Sequence, residues 1–391
     1  MFQRSRSTGH GPGAGDARGR APGRHRKGTG KAPERHPKDA GTDAGSGADR
    51  SLGTVNSDGR ISGVRTSHSP TSRAVSTVDL ELPGTLPRPD GSPSTLRGSL
   101  DLPPGSGELT LPELRAARVS VAVVAHCFTC SRRAPGVFRI SRALARAGIA
   151  CMRFDFPGLG DSVPANGGVA FEDTTFSSNV ADLLSVSGWL DSHLSSPSLL
   201  VGHSLGGAAV LRAAHRIPSL KAVVTVGAPF LPGRAAASLL DAFTGEQAPP
   251  AETAGPAETA DPAGRQVPLP GTGDDTLRTV HLAGRDLTFR RRFLTDLAEN
   301  SVTTDVREDI AAVGRRGVPL LVMHSPTDQT VPVTDATEIF SAASWPKSLL
   351  SIPDADHLLT RRGSAQWVGE TVARWAGSVG VGGHTTVGRH D

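Results

Sequence analysis

A serine can attack a carbonyl only where its neighbours let it project and a base can take its proton. The segment Gly202-His203-Ser204-Leu205-Gly206-Gly207 meets the first condition. It fits G-x-S-x-G, in which the serine occupies a tight turn between a strand and a helix and small residues let the two backbones approach. Residues 198–201 read as a buried strand and 205–217 as a helix, so the required flanks are present. That helix would point its first amides and positive dipole end at negative charge developing beside Ser204. The second condition needs a base held by an acid, in the chain order serine, acid, histidine. Asp328 follows the apolar strand 319–324 (PLLVMH), and His357 follows the strand 348–352 in DADHL. Asp354 and Asp356 are competing acids but lie too close to His357 in sequence to orient it. Ser204, Asp328 and His357 thus all fall just past strand ends, at one edge of a sheet.

An acyl-transfer site also needs donors for the oxyanion. The backbone N–H of Leu205 is one, and the second should come from the loop after the strand 119–125, His126-Cys127-Phe128-Thr129-Cys130. Phe128 N–H is the assignment, with Cys127 N–H as the alternative. His126, Cys127 and His203 flank the site and are read, like His324, as supporting groups. Cys127 and Cys130 form C-x-x-C, a spacing that can serve redox or metal chemistry. Two thiolates are too few for a closed structural zinc site, and the pair sits where the oxyanion loop belongs, so packing or loop shape is the preferred reading. Three cysteines in all make no disulfide framework.

The elements that would position these residues alternate. Apolar, β-branched runs at 119–125, 149–156, 198–201, 220–226, 319–324 and 348–352 read as strands. Helical spacing recurs at 137–147, 180–194, 205–217, 335–343 and 365–376. Strand–helix alternation implies an α/β fold with a mostly parallel, doubly wound sheet. Alternating apolar residues at 78–82, and a second strand at 96–102, add an antiparallel hairpin at its start. Residues 229–316 carry no sheet strand and read as a cap or insertion before the last strands. Within them 241–275 (rich in Pro, Ala, Gly and Thr) is expected to be mobile, and 288–297 to be a helix. An insertion there would overhang the carboxyl edge of the sheet, where ligands bind in such folds.

Composition bounds the rest. The chain has 391 residues with 46 Gly, 30 Pro and 37% hydrophobic residues, and the Gly and Pro are concentrated early. Residues 1–73 cannot bury enough apolar surface to offset the entropy of ordering and are expected to be a disordered tail; 74–378 would be the folded domain and 379–391 a second tail. The formal charge of +4 is local, because residues 1–50 hold 11 Lys or Arg against 5 Asp or Glu. No aromatic residues are interleaved there, so nucleic acid is not expected as a partner. No run is long enough to span a bilayer and no secretory signal is evident, which suggests a cytoplasmic protein. No pattern assigns an oligomeric state.

From about residue 119 the chain resembles the hydrolase half of bacterial α/β-hydrolase/OsmC fusion proteins. The segments that carry this are AHCFTCSR (125–132), RISRALARAGIACMRFDFPGLGDS (139–162), FSSNVADL (176–183), LLVGHSLGGAAVL (199–211), HLAGRDLTFRRRFLTDL (281–297), LLVMHSPTD (320–328) and DADHLLTR (354–361). In the fusions an OsmC domain follows, whereas this sequence ends soon after residue 376, so peroxide reduction is not carried over. The resemblance implies an α/β-hydrolase fold, a Ser204/Asp328/His357 triad and hydrolysis of a small-molecule acyl ester or thioester without metal or organic cofactor. The alternative, from another class, is an idle hydrolase scaffold acting as a redox-linked partner through Cys127 and Cys130.

Overall fold

Strands that are apolar on both faces must be covered on both, and the chain does so with a sheet between two helical layers. The computed structural model describes residues 54–55, 61–62, 74–234, 277–282, 285–302 and 306–382. The short strands β1 (Thr54–Val55) and β2 (Ile61–Ser62) pair with each other. Next come β3 (Ser76–Pro87), β4 (Pro93–Leu102), α1 (Leu111–Ala116), β5 (Ser120–Ala125), α2 (Pro135–Arg146) and β6 (Ile149–Phe154). They are followed by α3 (Phe176–His193), β7 (Leu199–His203), α4 (Leu205–Ala214) and β8 (Ala222–Val226). A separate hairpin, β9 (Leu277–Leu282) with β10 (Arg285–Arg290), leads into α5 (Arg291–Val302) and α6 (Val306–Arg315). The chain then forms β11 (Leu320–His324), α7 (Val333–Ala342), β12 (Lys347–Ser351) and α8 (Ser364–Ser378).

Eight strands form the main sheet in the order β12-β11-β8-β7-β5-β6-β4-β3. The β3–β4 hairpin is antiparallel and joins antiparallel to β6; all other neighbours are parallel. After β5 the chain goes to β6 on one side and then crosses back to β7 on the other. The carboxyl ends of β5 and β7 therefore border the point where the strand order reverses, the crevice that ligands occupy in open α/β sheets.

Side-chain alternation divides each central strand between two cores. Val121, Val123 and Ala125 of β5 join Phe176, Leu183 and Leu190 of α3 and Val210 and Leu211 of α4, while Ala122 and Val124 join Val137, Ile140 and Leu144 of α2 and Val368 and Val372 of α8. Both layers anchor the sheet, and the strand ends are held in register. Ser204 N–H donates to Val226 O (2.9 Å), Gly227 N–H to Met323 O (2.9 Å) and Ile352 N–H to His324 O (2.8 Å).

The structure departs from the sequence reading in three places. Leu277–Leu282 and Arg285–Arg290, read as part of a strandless insertion, pair as antiparallel strands outside the main sheet, and the helix expected over 288–297 starts at Arg291. Helix α1 was not anticipated, although Thr110-x-x-Glu113 is a capping box: Thr110 Oγ1 accepts from Glu113 N–H, and the Glu113 carboxylate accepts from Thr110 N–H. Cys127 and Cys130 are joined as a disulfide with their Cα atoms 5.3 Å apart, because the intervening turn folds back on itself. The expected tail 1–73, apart from β1 and β2, lies outside the described residues, as do the expected mobile stretch 241–275 and residues 383–391 of the expected C-terminal tail.

Candidate active site

Ser204 joins β7 to α4 with φ 54° and ψ −125°, a conformation that L-residues avoid and that a tight strand-to-helix turn imposes. The two glycines around it are required by contact rather than by flexibility. A Cβ on Gly202 would stand 2.3 Å from Gly206 O, and one on Gly206 would stand 2.4 Å from His126 O. The second contact presses the loop after β5 against the first turn of α4. That brings the backbone of the segment bearing Phe128 beside the helix start bearing Leu205. Neither Phe128 N–H nor Leu205 N–H has an acceptor among the described residues.

The three residues expected to cooperate are brought together. Ser204 Oγ lies 2.8 Å from His357 Nε2, and His357 Nδ1 lies 2.7 Å from Asp328 Oδ2. The Asp328 side chain is buried, and its other oxygen accepts from Thr330 N–H (2.8 Å) and Val331 N–H (3.0 Å). Burial alone would raise its pKa, but the bond to His357 and the two amides outweigh burial and hold the carboxyl below its ordinary value. An ionised Asp328 accepts Nδ1–H, which leaves His357 Nε2 with its lone pair toward the Ser204 hydroxyl. Asp354 and Asp356 point elsewhere: Asp354 pairs with Arg361, and Asp356 accepts from Thr360.

The flanking histidines are structural supports. His203 Nε2–H donates to the carbonyl of His357 (2.7 Å), tying the histidine loop to the serine strand. Burial and the neighbouring His357 push its pKa down to about 4, so the ring is neutral. His126 accepts from Phe156 N–H at Nε2 (3.0 Å), so Nδ1 carries its hydrogen and donates to Cys127 O (2.8 Å). Burial lowers its pKa as well. His324 Nε2–H donates to Val331 O (2.9 Å), bracing the turn that holds Asp328.

Two residues that sequence reasoning passed over fix the far end of the loop after β5. Arg132 and Asp155 are both buried and form an ion pair; Arg132 N–H donates to Asp155 Oδ1 (2.5 Å), and its guanidinium also reaches Asp161 Oδ2 (2.8 Å) and Ser99 Oγ (3.0 Å). The signal was available in Phe154-Asp155-Phe156, a charge inside an apolar run. Phe128, Phe171 and Phe293 form a triangle of rings with centroids 5.4 to 5.9 Å apart, and Phe289 extends it. Asp296 of α5 accepts from Ser177 N–H (2.8 Å) at the start of α3, so the segment after β10 is fastened to the body beside these rings.

Comparison with known proteins agrees with the fold. The model of the alpha/beta hydrolase family matches residues 122–370. The esterase domain of a Rhodothermus marinus protein is 34% identical, over 78% of this chain and 99% of that one, with a TM-score of 0.51. Est1E of Butyrivibrio proteoclasticus, solved with ferulic acid, shares the fold at 18% identity (73% and 95% of the two chains, TM-score 0.52). A putative hydrolase from Agrobacterium vitis S4 does so at 16% identity (77% and 99%, TM-score 0.50). No curated protein matches.

Proposed function

The chain belongs to the alpha/beta hydrolase family, and we propose that it is a serine hydrolase cleaving a carboxylic ester or thioester through an acyl-enzyme. The observation that carries this reading is the unbroken relay from Asp328 through His357 to Ser204 at a strained elbow. The esterase domain of Rhodothermus marinus, at 34% identity, supports the ester as the bond class. The shared motifs of the OsmC fusions are part of the same proposal and add no substrate.

In the first half-reaction Ser204 Oγ attacks the carbonyl carbon while His357 Nε2 takes its proton. Asp328 stabilises the resulting imidazolium and keeps its orientation. The carbonyl oxygen gains negative charge and is received by Leu205 N–H and Phe128 N–H, donors of a kind worth about 3–4 kcal/mol each in the transition state. His357 then gives its proton to the leaving alcohol or thiol. In the second half-reaction His357 removes a proton from water, which attacks the acyl-serine and restores Ser204. The rings of Phe128, Phe171 and Phe293 supply an apolar wall beside the oxyanion loop, suited to an apolar acyl group.

Labelling with a fluorophosphonate tests the reading. Wild-type protein is expected to label, and Ser204→Ala and His357→Ala to lose labelling together with hydrolysis. Turnover of matched ester, thioester and anilide substrates then sorts the bond class. A second reading has one observation in its favour, the Cys127–Cys130 bridge. It holds that the chain is an idle scaffold that engages a partner according to its redox state. Folded wild-type protein that neither labels nor hydrolyses, but binds a partner only when bridged, would favour it.

A further inference from the structure

The bridge bears on the reaction itself. Cys127-Phe128-Thr129-Cys130 is a β-turn closed by Cys130 N–H donating to Cys127 O (3.1 Å). Its third residue, Thr129, has φ 63°, the left-handed value that turns of the second type demand and that glycine or asparagine normally supplies. A β-branched residue there is strained, so the turn persists only where surrounding bonds hold it. The bonds that do so include the backbone bond just named, the bond from His126 Nδ1–H to Cys127 O (2.8 Å), and the disulfide. The carbonyl of Cys127 thus accepts twice, and its peptide plane is fixed. In a trans peptide the N–H points opposite to the C=O. Fixing the Cys127 carbonyl therefore aims Phe128 N–H away from the turn, free of any acceptor among the described residues.

We propose that the Cys127–Cys130 disulfide and His126 are positioning groups of the oxyanion hole, holding the strained turn that presents Phe128 N–H, so that the bridged protein is the fully active form. The inference rests on the serine hydrolase reading and specifies what sustains its second donor. Reduction by a dithiol proceeds at the more accessible sulfur. Cys127 is 2% exposed, whereas Cys130 is only partly buried. A reductant thiolate attacks Cys130 Sγ, the S–S bond breaks, and Cys127 leaves as thiolate and takes a proton. The reductant's second thiol then displaces Cys130 as its thiol, leaving a cyclic disulfide on the reductant and two thiols on the protein. Cys151 does not compete, being buried with its thiol pushed up to about 12.

A donor aimed at the oxyanion acts in the transition state, so its loss should lower kcat and leave KM nearly unchanged. The test uses the full chain and p-nitrophenyl butyrate. Kinetics are measured on bridged protein, on protein reduced with dithiothreitol and on reduced protein reoxidised with glutathione disulfide, with the bridge followed by intact mass. Reduction is expected to lower kcat by about tenfold, short of the roughly 10²–10³-fold cost of deleting such a donor, with KM within about twofold. Reoxidation should restore it. Cys130→Ser should show the low kcat with or without dithiothreitol, and His126→Ala a low kcat in the bridged state. Equal kcat for bridged and reduced wild type would overturn the proposal while leaving the hydrolase reading intact. So would a kcat loss matched by loss of the cooperative thermal transition, or a Cys130→Ser variant that still responds to dithiothreitol. Bridged protein with no hydrolysis and no fluorophosphonate labelling would remove the hydrolase reading, and this inference with it.

Discussion

At the residue scale, the acid of the relay is the most informative position. Asp328 accepts from His357 and from two backbone amides, so an asparagine fits the space but cannot impose the tautomer in which His357 Nε2 is free to accept. Asp328→Asn is expected to lower kcat by about 10⁴-fold while the protein stays folded, as ester turnover beside a melting curve would reveal. A different buried acid governs stability. Asp182 Oδ1 accepts from Thr85 N–H and Oγ1 (both 2.8 Å), its Oδ2 has no partner among the described residues, and burial raises its pKa to about 6. A raised folded-state pKa contributes stability that is fully present below the unfolded value of 3.8 and lost as pH climbs through 6. Asp182→Asn should therefore stabilise the fold by up to about 3 kcal/mol at pH 7.5 and by little at pH 4. Equal shifts in melting temperature at both values would refute this. His203 has the opposite sign. Its neutral ring favours folding above about 6.5 and ceases to do so as pH falls through 4, so His203→Gln should flatten the acid limb of the stability profile.

The loop between β5 and α2 shows how an element is held by what lies at its ends. Arg132 and Asp155 are both removed from water, and each justifies the other's burial. Arg132→Ala would leave Asp155 uncompensated and is expected to cost about 3–5 kcal/mol. Asp155→Ala added to it should cost less than the sum of the two single changes. Chemical denaturation of the three variants checks both statements. Most sheet strands and long helices could be read from sequence because burial on both faces leaves continuous apolar runs, as in VSVAVVA, and burial on one side leaves helical spacing, as in α2. What could not be read lacked that imprint. Hairpin β9–β10 contributes nothing to the main sheet, and α1 is six residues long, announced only by its cap.

For the whole molecule, the position of the site follows from topology. The serine, acid and histidine candidates follow the ends of β7, β11 and β12, and the reversal of strand order places the crevice between β5 and β7, beside the serine. The triad candidates were legible because each sits in a recognisable junction. The bonds that steady them, such as His203 to the His357 carbonyl and His126 to Cys127, join positions whose proximity only the folded chain creates or whose direction only the backbone fixes. Every candidate site residue lies in the unit Arg50–Asp391. Truncation to Arg50–Asp391 is accordingly expected to preserve kcat and KM within about twofold and to leave the melting temperature unchanged. A larger loss would assign the basic segment a part in turnover.

The backbone at Ser204 also sets a conflict between persistence and use. A residue held at φ 54° and ψ −125° costs on the order of 1–3 kcal/mol, and glycine would relieve most of that cost. Ser204→Gly should therefore melt higher than the parent, and Ser204→Ala, which keeps the strain, should not. On the serine hydrolase reading, the more durable version of this protein is the inert one. Drift in a lineage that no longer needed the activity would be expected to discard this serine early, and its continued presence would mark selection for what it does rather than for how well the chain survives.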